Sequence, residues 1–324
     1  MIKKLLFTAA SLAPCLAYCA NPSADLSVQI VPAGSTLAVP AAAQAVGLTT
    51  LVLHSDFSQP RYRHTANWLD CIGSNTDAEW HQGYTFVDSP PGLPCNIPQV
   101  TDPLDGSTVI DVYWDPSYNV GNGAWAHQVI NITAHDNSHG ISLPNAFYVE
   151  TVSRIAGTLS NTLQADWSGP LHCCDRTNGW FEMDMIEQAT FTNGANTAYY
   201  TINQWVTGHD NCGDGRWCDQ AHVTYPDTAY VRRGMLLTFD GTFLGQCNYE
   251  NDAETPNPGC KQTIYNASSV EANQRNIFLI ANGPVDPTTT LSGVSHRYVK
   301  SVKIWSCANW RTRQCITALR GSGQ

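Results

Sequence analysis

Three carboxylates stand close together in one short segment, GWFEMDMIEQ, at residues 179–188 of a chain that is only 14% charged. The apolar and aromatic residues around them predict a β-strand. Because side chains alternate between the two faces of a strand, Glu182 and Asp184 share a face and Glu187 points away from them. A β-bulge at Met185-Ile186 would insert one extra residue and return Glu187 to that face. The spacing therefore predicts a row of three acids on a bulged strand.

Such a row suits hydrolysis of a glycosidic bond with retention of configuration. One carboxylate attacks the anomeric carbon and another protonates the leaving oxygen, at a separation of about 5–5.5 Å. An acid between them can hydrogen-bond the nucleophile, and its charge raises the pKa of the proton donor. The alternative is a solvent-exposed strand face, on which acids are common. Against it, Phe181, Met183 and Met185, which flank the acids, indicate that the opposite face packs into a core.

The rest of the chain predicts an all-β fold that could hold such a strand. It has 324 residues, of which 43% are hydrophobic, enough for a sizeable core. Short apolar runs recur between Gly, Pro, Asn and Asp, which is typical of a sandwich or barrel. Seven of these runs are TTLVLHSDF, STVIDVYW, HQVINITA, NAFYVETVSRI, GMLLTFDGTFLG, NIFLIANG and RYVKSVKIW. We expect one domain over residues 49–318, without long amphipathic helices.

The first 48 residues have a different composition. Residues 1–20 carry a Lys pair, an apolar stretch and then small residues, which predicts a secretory signal peptide. Residues 21–48 are rich in Ala, Pro, Val and Ser and are expected to form a leader or linker. No later segment is apolar over about 18 residues, so no membrane span is expected. The protein is predicted to be secreted, to the extracellular space or the periplasm.

The cysteines agree with an oxidising compartment. Of twelve, Cys15 and Cys19 fall in the signal peptide, and the remaining even number predicts disulfides. The preferred pairs are short-range: 212–218, 247–260 and 307–315, followed by 71–95. Cys173 and Cys174 are adjacent, so a bond between them would be strained, and bonds to separate partners stay open.

The acid row resembles a known family. EMDMIE matches the ExDxxE signature of glycoside hydrolase family 16 in its bulged, laminarinase-like form. LVLHSDFS, FYVETVSRI and LQADWSG resemble flanking segments of that family, in order, over most of residues 49–305. The resemblance implies a jelly-roll β-sandwich of two antiparallel sheets with a concave glycan-binding cleft. It assigns Glu182 as nucleophile, Asp184 as its helper and Glu187 as acid/base.

The same resemblance implies aromatic side chains that stack on sugar rings. The substrate-binding candidates are Trp167, Trp180 and Trp205, for each of which core packing is the alternative. The sequence departs from the family at Asn203, where a His is often found, and in its many cysteines. The adjacent cysteines before the motif are similar to those of the family 7 cellulases, which share the fold and the acid row. A family 7-like β-1,4-glucanase therefore stays an alternative.

The favoured function is a retaining endo-glycanase acting on a β-linked polysaccharide, with β-1,3-glucan preferred. A carbohydrate-binding protein without catalysis is the alternative, although such proteins usually lose one of the three acids. The net charge of −10 argues against nucleic acid and anionic membranes as partners. We expect a monomer without a cofactor or catalytic metal. A structural calcium ion is compatible with the resemblance, but no sequence motif identifies its ligands. Among the histidines, His135 and His139 are the one pair worth testing as metal ligands.

Overall fold

A computed structural model describes residues 37–58, 69–71, 80–84, 97–117, 128–132, 141, 143–170, 180–190, 196–205, 221–222, 227–255, 260–264, 276–285, 289–312 and 315–320. Its elements in chain order are α1 (Ala41–Gln44), β1 (Thr50–Asp56), β2 (Leu69–Cys71), β3 (Trp80–Tyr84), β4 (Gln99–Thr101), β5 (Thr108–Trp114), β6 (Gln128–Asn131), β7 (Phe147–Gly157), β8 (Thr162–Pro170), β9 (Trp180–Thr190), β10 (Asn196–Trp205), β11 (Ala221–His222), β12 (Val231–Phe239), β13 (Phe243–Glu250), β14 (Ala253–Glu254), β15 (Lys261–Ile264), β16 (Asn276–Pro284), β17 (Ser295–Ser306) and a 3₁₀ helix (Trp310–Thr312). Each of the seven apolar runs named above overlaps a strand. Within these ranges, no helix is long and apolar enough to cross a bilayer.

The strands form two sheets. The nine-stranded sheet has the order β14-β13-β12-β7-β17-β5-β4, with β1 paired to β17 and β15 paired to β13. The eight-stranded sheet has the order β11-β10-β9-β8-β16-β6-β3-β2. The pairs are antiparallel except β2 with β3, which run parallel. The predicted jelly-roll β-sandwich is confirmed, with this one parallel pair as a departure from purely antiparallel sheets.

One face of each sheet contributes to a common apolar core. Ile110, Val149 and Ile304 enter it from the nine-stranded sheet, and Met183 and Phe278 enter it from the eight-stranded sheet. All five side chains are buried. This burial follows the alternation of each strand and supplies most of the driving force for folding. The inward-facing Met183 fixes which face of β9 is left for the acids.

Residues 37–48 pack against the same core. Ala43 in α1 and Leu48 are fully buried, and Leu37, Val39 and Val46 lie partly buried on the core. Apolar side chains in the described part of the predicted leader or linker are thus removed from water. The domain bounds 49–318 stay a prediction.

A buried polar layer crosses the sandwich beside the apolar core. Arg297 on β17 forms an ion pair with Asp166 on β8 at 2.7 Å, and both side chains are almost fully buried. Arg233 on β12 pairs with Asp227, which also accepts a hydrogen bond from Gln188 on β9. Both links join the two sheets. Loss of one partner would leave a charge unpaired in the interior, which typically costs about 3–5 kcal/mol.

Four described glycines have a φ in the left-handed region, and two of them differ in the space around them. Gly157 at the end of β7 has a φ of 75°, and a Cβ there would collide with the carbonyl oxygen of Val294. Gly241, with a φ of 99°, lies between β12 and β13, where a Cβ would meet open space. Asp240 stabilises the turn at Gly241. Its carboxylate accepts hydrogen bonds from the backbone amides of Thr242 at 2.8 Å and Phe243 at 2.7 Å.

Two predicted disulfides are confirmed. Cys247 on β13 is bonded to Cys260, and Cys307 is bonded to Cys315. The pairs 71–95 and 212–218 stay predictions, because they involve cysteines outside the described residues or described by backbone alone. The adjacent cysteines at 173–174 also lie outside the described residues.

Candidate active site

The acid-bearing strand β9 contains the predicted bulge. It lies in the eight-stranded sheet between β8 and β10. Asp184 and Glu187 are three residues apart on β9, but their partners on β10 are two residues apart. Met185 and Ile186 therefore stand together opposite Tyr200. The extra residue falls where the sequence predicts it.

The neighbouring strand β8 shows the same irregularity. Ile186 aligns with Asp166 and Asp184 aligns with Trp167, which leaves Met185 without a counterpart. Met185 and Ile186 are both fully buried. Consecutive residues of a regular strand point to opposite faces, so a buried pair of neighbours marks the change of register. The third acid is thereby returned to the face that carries Asp184 and Trp167.

The three acids differ in their surroundings. Glu182 is aligned with Asn203 on β10, and the structure describes only its backbone. Asp184 is buried, with 1% of its surface exposed. Glu187 is half-buried, and burial raises the pKa of its carboxyl to about 6. Loss of water penalises the charged form, so Glu187 keeps a protonated fraction near neutral pH, as a proton donor requires.

Aromatic residues flank the acids on both sides. Trp167 is half-buried on the face opposite the core and is aligned with Asp184. It packs against a small apolar cluster made of Ala165, Leu279 and Ala281. Trp180 and Trp205 are aligned with each other on β9 and β10, and the structure describes only their backbones. Trp167 thus lies next to Asp184 across the strand pair, and its role in substrate binding stays a prediction.

One residue that contacts the bulge was not predicted from the sequence. Gln246 on β13, in the opposite sheet, donates a hydrogen bond from Nε2 to the backbone carbonyl oxygen of Asp184 at 2.8 Å. The same Nε2 lies 3.1 Å from the Oδ1 of Asn248. In the sequence GQCNYE, Gln246, Asn248 and Glu250 recur with period two between apolar neighbours. Alternation alone would place this polar face in water, so the pattern does not identify Gln246 as an inward-pointing donor.

Metal ligands stay unassigned. Within the described ranges, no three His, Cys, Asp or Glu side chains are grouped so that they could hold an ion. His135 and His139 lie outside the described residues, so their pairing stays a prediction. The ligands of a structural calcium ion likewise stay unknown.

Comparisons with known proteins give similarity in structure only. No protein-family model matches the sequence, and no curated protein matches it. A GlcNAcα1-4Gal-releasing endo-β-galactosidase from Clostridium perfringens is 14% identical with a TM-score of 0.49, over 81% of this chain and 64% of that chain. SCLam, a non-specific endo-β-1,3(4)-glucanase from family GH16, is 14% identical with a TM-score of 0.47, over 79% and 91%. The catalytic domain of a laminarinase from Thermotoga petrophila RKU-1 is 13% identical with a TM-score of 0.46, over 80% and 98%.

Proposed function

We propose that this protein is a secreted endo-glycoside hydrolase that cleaves a β-linked polysaccharide with retention of configuration. The observation that carries the proposal is the bulge in β9, which puts Glu187 on the face of Asp184 and beside Trp167. The ExDxxE spacing of the acids adds the resemblance to family 16 in its laminarinase-like form. On that resemblance β-1,3-glucan is the favoured substrate.

The acids would act in two displacements. In the first, Glu182 attacks the anomeric carbon while Glu187 gives its proton to the leaving oxygen, and the glycosidic bond breaks. In the second, Glu187 takes a proton from water as the water oxygen attacks the same carbon and releases Glu182. Asp184 would hydrogen-bond the nucleophile between the two steps. A Glu187 pKa of about 6 supports this assignment, because the residue must be an acid and then a base near the working pH.

Binding would rest on aromatic faces along the sheet. Trp167 stands next to Asp184, half-buried, with its position supported by apolar neighbours. A rigid ring beside the acid row suits stacking on a pyranose, which presents an apolar face. Trp180 and Trp205 are proposed to extend this surface past Glu182. The polysaccharide is the only partner proposed, and the protein is proposed to act as a monomer.

The test is a panel of laminarin, lichenan, agarose, carrageenan, cellulose and chitin, followed by product analysis. We expect release of oligosaccharide reducing ends from laminarin, with the β-anomer formed first. Glu182→Ala and Glu187→Ala should each lower the rate by on the order of 10³-fold or more with the fold intact. A matched control is Glu254→Ala on the exposed strand β14, which should keep the wild-type rate.

Two further results separate the roles. Azide should restore turnover to Glu182→Ala and give an α-glycosyl azide, because a small anion then replaces the missing nucleophile. Asp184→Asn should lower the rate less than loss of either Glu and should shift the pH profile. Glycan binding without release of reducing ends would instead identify a carbohydrate-binding protein.

A further inference from the structure

The bulge in β9 leaves a backbone carbonyl that is bonded from outside its own sheet. An inserted residue disrupts the ladder of hydrogen bonds locally. A buried carbonyl without a hydrogen-bond donor is costly, so the carbonyls of a bulge inside a sandwich need donors from outside the ladder. The carbonyl oxygen of Asp184, at the start of the bulge, accepts the Nε2 hydrogen bond of Gln246 at 2.8 Å. The donor comes from β13, across the interior.

Gln246 is well placed to hold this contact. It is 2% exposed and is aligned with Leu237, which lies in the apolar core, so its side chain also points inward. A backbone carbonyl can only accept, so the amide nitrogen of Gln246 must face Asp184. The second acceptor, Oδ1 of Asn248, lies at 3.1 Å and favours the same orientation. The adjacent Cys247 is tied by its disulfide, which steadies this part of β13.

We propose that Gln246 is a positioning residue, whose hydrogen bond to the Asp184 carbonyl holds the bulge in place and so sets where Glu187 stands relative to Asp184. If the extra residue moved one step along β9, Ile186 would turn outward and Glu187 would stand within the bulge itself, displaced relative to Asp184. The hydrogen bond favours one location of the bulge over its neighbours. The inference deepens the function proposed above and rests on it for the catalytic consequence.

The first test compares two buried glutamines. Gln246→Met keeps a side chain of similar length and removes the donor to the bulge. The matched control is Gln164→Met on β8, which is also fully buried and donates to Asn282 at 2.8 Å and Ser295 at 3.1 Å. Both changes remove buried hydrogen bonds, but only the first touches the bulge. The readouts are kcat and KM on the glycan cleaved, and the titration of Glu187 by carbon NMR in labelled protein.

We expect Gln246→Met to lower kcat by roughly 10- to 100-fold with little change in KM, since small displacements of reacting groups are enough for such losses. The Glu187 pKa should move away from its wild-type value of about 6. Gln164→Met should keep the wild-type kcat and the wild-type Glu187 titration, even where it lowers the melting temperature. A shift in titration is a result that loss of stability alone does not produce.

The second test is rescue by Gln246→Glu, which keeps the packing. A protonated carboxyl at position 246 can donate to the Asp184 carbonyl, whereas an ionised one cannot. Burial raises the pKa of such a group, so the donor form should persist in mildly acidic solution. We expect kcat relative to wild type to be close to one at the acidic end of the profile and to fall as pH rises. This variant decides the matter if Gln246→Met does not fold.

Three results decide between the proposal and its alternatives. An unchanged Glu187 pKa and pH profile in Gln246→Met would overturn it. Equal losses in the Gln246 and Gln164 variants would also overturn it, because the role would then be structural. If the wild-type protein cleaves none of the glycans, the proposed function fails, and the Glu187 titration still decides whether Gln246 sets the bulge.

Discussion

Replacing Glu187 by Gln should make the protein more stable above pH 6. In the folded state, burial raises the pKa of this carboxyl from 4.5 to about 6. In the unfolded state the group is solvated and keeps its ordinary pKa. Between these two pKa values the folded protein therefore binds more protons than the unfolded chain. The contribution of Glu187 to stability is fully present below the unfolded pKa, and it is lost as pH rises through the folded pKa. Gln is similar in shape and does not ionise.

The magnitude follows from the size of the shift. Each pKa unit corresponds to about 1.36 kcal/mol, so a rise from 4.5 to about 6 corresponds to about 2 kcal/mol. The wild-type protein should lose up to that amount between pH 4.5 and neutral pH relative to Glu187→Gln. At pH 4 both proteins carry a neutral group at this position, and their stabilities should agree closely.

The assay is urea unfolding of both proteins at intervals from pH 4 to pH 8, with disulfides kept oxidised. The quantity of interest is the difference in free energy of unfolding, which should rise with pH and level off. Glu254→Gln on the exposed strand β14 is the matched control, and its difference from wild type should stay small at every pH. Parallel curves for wild type and Glu187→Gln would refute the link between burial and protonation at this site.

Three further changes have definite expected outcomes. Replacing Cys247 and Cys260 together by Ser should cost about 3 kcal/mol in urea unfolding, since the bond closes a short loop, and an unchanged midpoint would contradict its presence. Gly157→Ala should lower the free energy of unfolding more than Gly241→Ala, for which the left-handed backbone alone predicts a loss of about 1–2 kcal/mol. Equal losses would show that the collision at Gly157 is relieved. Trp167→Ala should raise KM by about tenfold with a smaller effect on kcat, and an unchanged KM would remove this residue from the binding surface.

The bulge in β9 could be predicted from the sequence because its evidence is local. The acids at 182, 184 and 187 fit no regular alternation, and the apolar pair Met185-Ile186 lies between the second and the third. An extra residue at that pair reconciles both patterns. The register on both neighbouring strands confirms it. The strands of the sandwich were predictable for the same reason, since each run carries its own period.

The polar interior could not be predicted in this way, and β8 shows why. Its Gln164 and Asp166 point inward, whereas Ala165 and Trp167 lie on the other face. Alternation alone would put the polar residues in water. The inward arrangement depends on Arg297, a partner far away in sequence that neutralises Asp166 across the sheets. Gln246 was missed for the same reason, because its acceptor exists only once β9 has bulged.

The buried ion pairs also have a consequence for how the two sheets are aligned. Apolar faces tolerate sliding, and a shift by two residues, roughly 6.6 Å, would keep every side chain on its face. Such a shift would separate Arg297 from Asp166 and leave both charges unpaired in the interior, at a cost of about 3–5 kcal/mol. Arg233, linked to the other sheet through its own partner, opposes the same displacement. The two sheets are thus held at one offset, and that offset brings Gln246 opposite the carbonyl of Asp184.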